Sequence, residues 1–326
     1  MRVIALEEHC STPVYNKEDA GRTRPAQLGE RSQRLGYSIF EELDDVGASR
    51  IKYMDASGID VQVLSLVQPG PQAFSGATAI AIAKDANDTM AESCRKYPSR
   101  FAGFATLPVS EVPESVKELE RCVTKLGFKG TMINGHQQGE FLDDKKYWPI
   151  FEAAESLDVP IYLHPRDPHP AVFKAYFAGG YEDLGSAAWG YAMDTCSHFL
   201  RIVFSGVFDA YPRLKFILGH LGEGLPFWID RLEDHTHYGV AKRGLKRTPS
   251  EYLTQNLAVT CSGNWSVPAF VCTVMALGID NVMFSVDWPY ESNKNAMEFL
   301  RRVPLSPPDL EKFAHGNAER MLKLGN

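Results

Sequence analysis

The chain has 326 residues, of which 44% are hydrophobic and 23% charged; this balance excludes disordered and fibrous classes and provides for a large buried core. The net charge of −7 comes from 41 acidic and 34 basic side chains spread without long single-sign runs, which leaves no footprint for nucleic acid or an anionic membrane and makes a small molecule the expected partner. Six cysteines (Cys10, Cys94, Cys122, Cys196, Cys261 and Cys272) stand without CxxC pairs, so neither a zinc knuckle nor a disulfide framework is expected, and free thiols in a reducing cytoplasm fit best.

The first residues, MRVIALEEHC, run directly into a short apolar stretch that ends in acids, unlike the basic start of a signal peptide. No apolar run approaches the roughly 20 residues of a membrane-spanning helix, and a soluble, intracellular protein is expected. Eight short runs rich in β-branched and aromatic residues read as strands: Val3–Leu6, Val61–Leu66, Phe101–Leu107, Gly130–Asn134, Pro160–Leu163, Lys215–Leu218, Leu257–Thr260 and Asn281–Ser285. Segments of helical period lie between them, over Ile39–Ser57, Thr78–Tyr97, Val112–Leu126, Lys145–Leu157, Ala187–Ala210, Leu225–His237, Ser266–Leu277 and Asn293–Arg302, with one more over Pro308–Leu324. Near-continuous apolar strands alternating with helices predict an α/β protein with a parallel sheet covered by helices. This many repeats favour a closed (β/α)8 TIM barrel over an open sheet, as one domain spanning residues 1–326 with long loops over the active site. Those loops are Ser11–Gly36 and Arg166–Gly185, both rich in Gly, Pro and charge and both following strand C-termini, the barrel face on which active sites are built.

Histidines and carboxylates gather at that same face. Glu7 and His9 follow the first strand and, two apart in extended chain, point the same way, while Glu8 points opposite. His164 ends the fifth strand, His220 lies just past the sixth, and Asp287 just past the eighth. A single histidine at a strand end is more often structural, and a single carboxylate there is often a helix cap. Coincidence at the ends of four strands reverses that reading, because a divalent cation needs imidazole and carboxylate ligands from several rigid elements.

The motifs E-E-H at the first strand, L-H-P at the fifth, L-G-H-L-G-E-G-L-P-F at the sixth and F-S-V-D-W-P-Y at the eighth resemble the amidohydrolase superfamily. The resemblance is to the branch of aminocarboxymuconate-semialdehyde decarboxylase and the γ-resorcylate, 2,3-dihydroxybenzoate and 5-carboxyvanillate decarboxylases. It runs through nearly the whole chain, including R-F-A-G-F-A-T-L-P at Arg100–Pro108, G-V-F-D-A-Y-P-R-L at Gly206–Leu214 and G-N-A-E-R-M-L-K-L at Gly316–Leu324. It implies Glu7, His9, His164 and Asp287 as metal ligands, with Glu7 in place of the first His of the H-x-H found in many amidohydrolases. No lysine follows the fourth strand, which reads T-M-I-N-G-H, so one divalent ion is expected, Zn2+ or Mn2+ with Mg2+ also compatible. His220 and Glu223, three apart at the start of the next helical segment, are implied to be a hydrogen-bonded catalytic pair, against the plainer reading of Glu223 as a residue that favours a helix N-terminus. Arg231 is implied at the substrate carboxylate, with a solvated helix arginine as the alternative. A homo-oligomer, dimer or tetramer, is also implied.

Arg166 and Asn134 sit at or beyond strand ends, where a carboxylate or hydroxyl of the substrate can be bound. Trp189, Tyr191, Trp265, Trp288 and Tyr290 are candidates for an aromatic pocket, and Tyr15, Arg22 and Arg24 of the first long loop for substrate contacts. Cys10 points away from His9 and reads as structural; His136, His169, His198, His235, His237 and His315 are given no role. The leading expectation is metal-dependent, non-oxidative decarboxylation of an ortho-hydroxylated aromatic acid, with Asp287, protonated when substrate displaces or loosens it in a closed pocket that raises its pKa, as the proton donor and His220 and Glu223 holding or relaying the proton. The alternatives are a hydrolase of a lactone, ester or amide that uses the same site through metal-bound hydroxide, and a barrel that binds a ligand or metal without turnover.

Overall fold

The protein is described here from a computed structural model covering residues 1–19 and 26–325; Arg22 and Arg24 lie outside the described residues. The strands are β1 (Ile4–Cys10), β2 (Val61–Leu66), β3 (Phe101–Gly103), β4 (Thr131–Asn134), β5 (Ile161–His164), β6 (Phe216–Leu218), β7 (Leu257–Thr260) and β8 (Val282–Met283). They form two parallel arcs, β1–β2–β3 and β4–β5–β6–β7–β8. Single parallel bridges join the arcs at both seams, Ala105 to Thr131 and Glu8 to Trp288. At the seams Met132 N donates to Ala105 O at 2.9 Å and His9 N to Trp288 O at 2.7 Å. The strands thus follow one another round a ring, a (β/α)8 barrel.

Alternation along each strand sorts side chains between two apolar layers. Ile4, Leu6, Val61, Val63, Met132, Tyr162, Ile217, Ala258 and Met283 meet in one cluster with Phe104. Their neighbours Ala5, Leu64, Ile133, Ile161, Leu163, Phe216, Leu218, Leu257, Val259 and Val282 belong to the larger cluster formed with the helices. The period of two is that of strands buried on both faces. Within β1 the period is interrupted. Ala5 is opposite Gln62 and Glu8 opposite Leu64, so β1 carries one residue more than β2 over this stretch, a bulge. Ser285 Oγ accepts from both Leu6 N at 3.1 Å and Glu7 N at 2.7 Å. Leu6 therefore stays in the inner layer while Glu7 and His9 still converge on the rim.

Four expected segments are built differently. The helix expected over Ile39–Ser57 is two, Ile39–Asp44 and Ala48–Ser57, because Asp45 turns its side chain back to accept from Gly47 N at 2.9 Å and Arg50 N at 3.0 Å, which competes with the helical ladder. The long loop after β1 carries the helices Pro13–Glu18 and Ala26–Leu35, and the loop after β5 carries Pro170–Tyr176. The segment Gly219–Gly224 is a turn rather than the start of a helix: His220, Leu221, Gly222, Glu223 and Gly224 all have left-handed φ between 50° and 83°. Among the described residues no helix is long and apolar enough to cross a membrane.

Candidate metal centre

The bulge in β1 and the ends of β5 and β8 bring four side chains together. One ligand atom each of Glu7, His9, His164 and Asp287 lies within 4.8 Å of the others. Glu7 Oε1 is the hub, 3.1 Å from His164 Nε2 and 3.9 Å from His9 Nε2. Asp287 Oδ1 lies 3.2 Å from His9 Nε2. His220 closes the circle from the β6 turn, with Nε2 3.7 Å from Glu7 Oε1 and 3.8 Å from Asp287 Oδ2, and its other ring nitrogen donates to Glu223 Oε1 at 2.6 Å. The expected pair is formed, but by the left-handed turn rather than by a shared helix face. Asp287 also holds a left-handed φ, 76°. Non-glycine residues pay a steric cost there, and such strain concentrates at functional sites.

The residues fit a divalent cation. Glu7 Oε1 and His9 Nε2 are buried and lack a hydrogen-bond partner, a costly condition that a cation relieves. His9 Nδ1 meets Ser65 Oγ at 3.2 Å on the adjacent strand; donating that bond leaves the lone pair on Nε2, the atom turned to the centre. Two imidazoles and two carboxylates form a borderline donor set suited to zinc or manganese.

Electrostatics divide the site into distinct charge states. Burial would raise the Glu7 carboxyl, but His220, His164 and His9 hold it far below the usual carboxylate range. Burial pushes the His9 imidazole down, toward the neutral form that a metal ligand requires. Burial opposes charge on His220 too, yet Glu223, Glu7 and Asp287 raise it well above its ordinary value. At Asp287 burial would raise the carboxyl, but the neighbouring His220 and His9 imidazoles hold it below the usual range. The raised carboxyl is Glu8, pushed up to about 8 by burial. It points away from the cluster and accepts from Gln62 Nε2 at 3.0 Å, Ser285 Oγ at 3.1 Å and Val286 N at 3.0 Å.

The other candidates separate. Asn134 is buried beside His164 on the neighbouring strand, its backbone is gripped by Gln72, and its Oδ1 has no partner. Arg166 Nη1 donates to His136 O at 3.0 Å, and its chain fits because Gly135 has no Cβ, which would stand 2.6 Å from Arg166 Cγ. Arg231 is exposed on the helix Ile229–His235 and makes no hydrogen bond or ion pair among the described residues; the structure does not bring it to the cluster. Tyr290 lies beside His9, with ring centroids 5.8 Å apart, and Tyr191 OH donates to Asp167 at 3.2 Å. Trp288 is core, between Tyr37 and Tyr53; Trp265 sits against Phe299; Trp189 is exposed. Tyr15 is buried in a small apolar cluster with Ile39, Leu43 and Leu66. Cys10 is structural, its thiol directed to Ser65 O.

Sequence reasoning missed Tyr162, whose hydroxyl donates to Glu7 Oε2, and Ser65 behind His9. The signal was available for the first: in I-Y-L-H, Tyr162 is two residues before His164 and so on the same strand face.

The amidohydrolase family profile matches residues 36–324. The γ-resorcylate decarboxylase of a Polaromonas species is 38% identical over 98% of this chain and 98% of its own length. The crystal structure of a dihydroxybenzoic acid decarboxylase from Polaromonas, with bound manganese and the inhibitor 2-nitroresorcinol, superposes with a TM-score of 0.91 at 36% identity, covering 100% of this chain and 98% of that one. The 5-carboxyvanillate decarboxylase of Sphingomonas paucimobilis gives 0.90 at 36% identity, covering 99% of each chain.

Proposed function

The chain belongs to the amidohydrolase family, and from that premise we propose that it is a metal-dependent carboxy-lyase that removes CO2, without an oxidant, from an aromatic acid bearing a hydroxyl ortho to its carboxylate. The observation that carries this reading is the buried Glu7–His9–His164–Asp287 cluster with the His220–Glu223 pair set against it. One divalent ion held by those four residues, Mn2+ as in the related crystal structure or Zn2+ or Mg2+, would supply positive charge for the carboxylate and the adjacent phenolate to chelate. Asp287 delivers a proton to the ring carbon that bears the carboxylate. The electron pair of the breaking C–C bond returns to the ring, CO2 leaves and aromaticity is restored. His220, with Nε2 3.8 Å from Asp287 Oδ2, is placed to supply that proton to Asp287, while Glu223 orients the imidazole through Nδ1. Asn134 and Arg166 are the proposed substrate contacts, for a hydroxyl and a carboxylate respectively.

Residues 1–326 are proposed to form one domain, in keeping with a family match that begins at residue 36 and ends at 324. Self-association is proposed through the segment that carries Phe227, Trp228 and Arg231, all exposed and all of types enriched at protein contacts; this would place Arg231 between copies. Six free cysteines support a cytoplasmic location. The test of the reaction is CO2 release and loss of aromatic-acid absorbance over a panel of hydroxybenzoates, after metal-stripped protein is reloaded with Mn2+, Zn2+ or Mg2+. Metal-dependent CO2 release is expected for one or more ortho-hydroxylated acids; silence across the panel from fully loaded protein would overturn the reading and favour hydrolysis.

A further inference from the structure

Beneath the metal centre the inner layer of the barrel around Leu6, Phe104, Met132 and Ile217 is apolar, with one large polar tip: the hydroxyl of Tyr162, which is fully buried and donates to Glu7 Oε2. Two further hydroxyls follow it. Thr260 Oγ1 is 2.6 Å from Tyr162 OH, and Ser262 Oγ is 2.7 Å from Thr260 Oγ1. All three residues are buried, and Thr260 and Ser262 are two apart at the end of β7. The direction of the chain follows from proton counting. A carboxylate only accepts, so the single phenolic proton goes to Glu7; Thr260 must then donate to the phenolic oxygen, and Ser262 to Thr260. The main series runs Ser262 to Thr260 to Tyr162 to Glu7, with Ser262 Oγ also 3.5 Å from Tyr162 OH, an arrangement in which each bond polarises the next.

Its effect is on the choice of oxygen. Glu7 Oε2 is taken by Tyr162 and pressed against the space where Gly219 lacks a Cβ, 2.6 Å from where that atom would stand. Oε1 is left without a hydrogen bond and faces His164, His9 and His220. We propose that Tyr162, backed by Thr260 and Ser262, is a positioning residue that holds Glu7 as a one-oxygen ligand, so that Oε1 alone is offered to the cation. The inference rests on the metal-centre reading above. It also explains a tyrosine inside an otherwise apolar barrel layer, where a phenylalanine would fill the same space.

The test is Mn2+ binding to metal-stripped protein, by affinity and by the electron paramagnetic resonance spectrum of the bound ion, in wild type and in Glu7→Gln, Tyr162→Phe and Thr260→Val. Wild type takes up one Mn2+ per chain and Glu7→Gln does not. Tyr162→Phe, with an unchanged circular dichroism spectrum, is expected to raise the Mn2+ Kd about 10- to 100-fold, the usual effect of losing a residue that orients a ligand, and to alter the zero-field splitting as Oε2 becomes free to bind. Thr260→Val, which keeps the shape and removes the shorter of the two hydroxyl contacts on Tyr162 OH, leaving Ser262 Oγ at 3.5 Å, raises Kd by a smaller factor, about threefold to tenfold, and carries the test independently of how well Tyr162→Phe folds. Wild-type affinity and an unchanged spectrum in both variants, alongside loss of the metal in Glu7→Gln, would overturn the positioning role and leave the metal centre standing. Absence of Mn2+ uptake by wild type would overturn both.

Discussion

At Gly219 an added methyl would lie 2.6 Å from Glu7 Oε2 and 3.2 Å from Tyr162 OH, distances that force the carboxylate to move. Gly219→Ala is therefore expected to fold but to bind metal more than about tenfold less tightly, as read by metal content after dialysis against a known free concentration; full occupancy at wild-type affinity would refute the steric account. The proton pathway makes a separate demand. Glu223 holds His220 through Nδ1 at 2.6 Å and touches no proposed metal ligand by any hydrogen bond. Glu223→Gln should retain one metal per chain while kcat falls about 10²-fold or more, the scale of a general acid–base contribution. Loss of metal in parallel with activity would instead make Glu223 a support of the centre. Asp287→Asn should abolish turnover; metal content measured on the same sample separates its proton from its role as a ligand.

Between elements, the helices Gly76–Lys96 and Val112–Arg121 meet at a polar joint. Asn87 exchanges two hydrogen bonds with the Thr106 backbone, both 2.9 Å, and donates at 2.7 Å to Glu118, which Arg121 also grips. Burial would raise the Glu118 carboxyl, but Arg121 and Asn87 hold it below its ordinary value. Its contribution is thus present above the unfolded carboxyl pKa and lost as pH falls through the lower folded value. Glu118→Gln should cost about 1–2 kcal/mol at pH 7, and the difference from wild type in urea midpoints should shrink on acidification; a constant difference down to pH 3 would contradict it. This joint was not legible in the sequence, because it depends on Asn87 and Glu118 meeting across 31 residues. What was legible depends on period alone: eight strands, most helices, and the rim on which Glu7, His9, His164, His220 and Asp287 converge. Breaks in period were not. Asp45 splits a helix through local side-chain bonds, the bulge in β1 relies on Ser285 some 280 residues away, and the left-handed turn at His220 to Gly224 places non-glycine residues where they are seldom found. The pair His220–Glu223 was found for the wrong structural reason, since a spacing of three serves a tight turn as well as a helix.

For the whole molecule, the barrel is two arcs joined by single bridges, and the proposed ligands come from both: Glu7 and His9 from the arc of β1, His164 and Asp287 from the arc of β4 to β8. A bound cation therefore ties one seam. At a free metal concentration 100 times Kd, linkage adds about 2.7 kcal/mol to the stability of the native state, which should appear as a Tm several degrees higher than that of metal-stripped protein. Glu7→Gln should abolish this gain, and a Tm that ignores metal would count against a centre shared between the arcs. The same arrangement bears on synthesis. The proposed ligands span residues 7 to 287, so a nascent chain carries the first two through the synthesis of every strand from β2 to β8 before the last exists. The full set of four proposed ligands exists only once β8 has formed and closed against β1, and a chain broken off earlier lacks Asp287 and the seam beside it. The centre doubles as a check that the barrel has been finished.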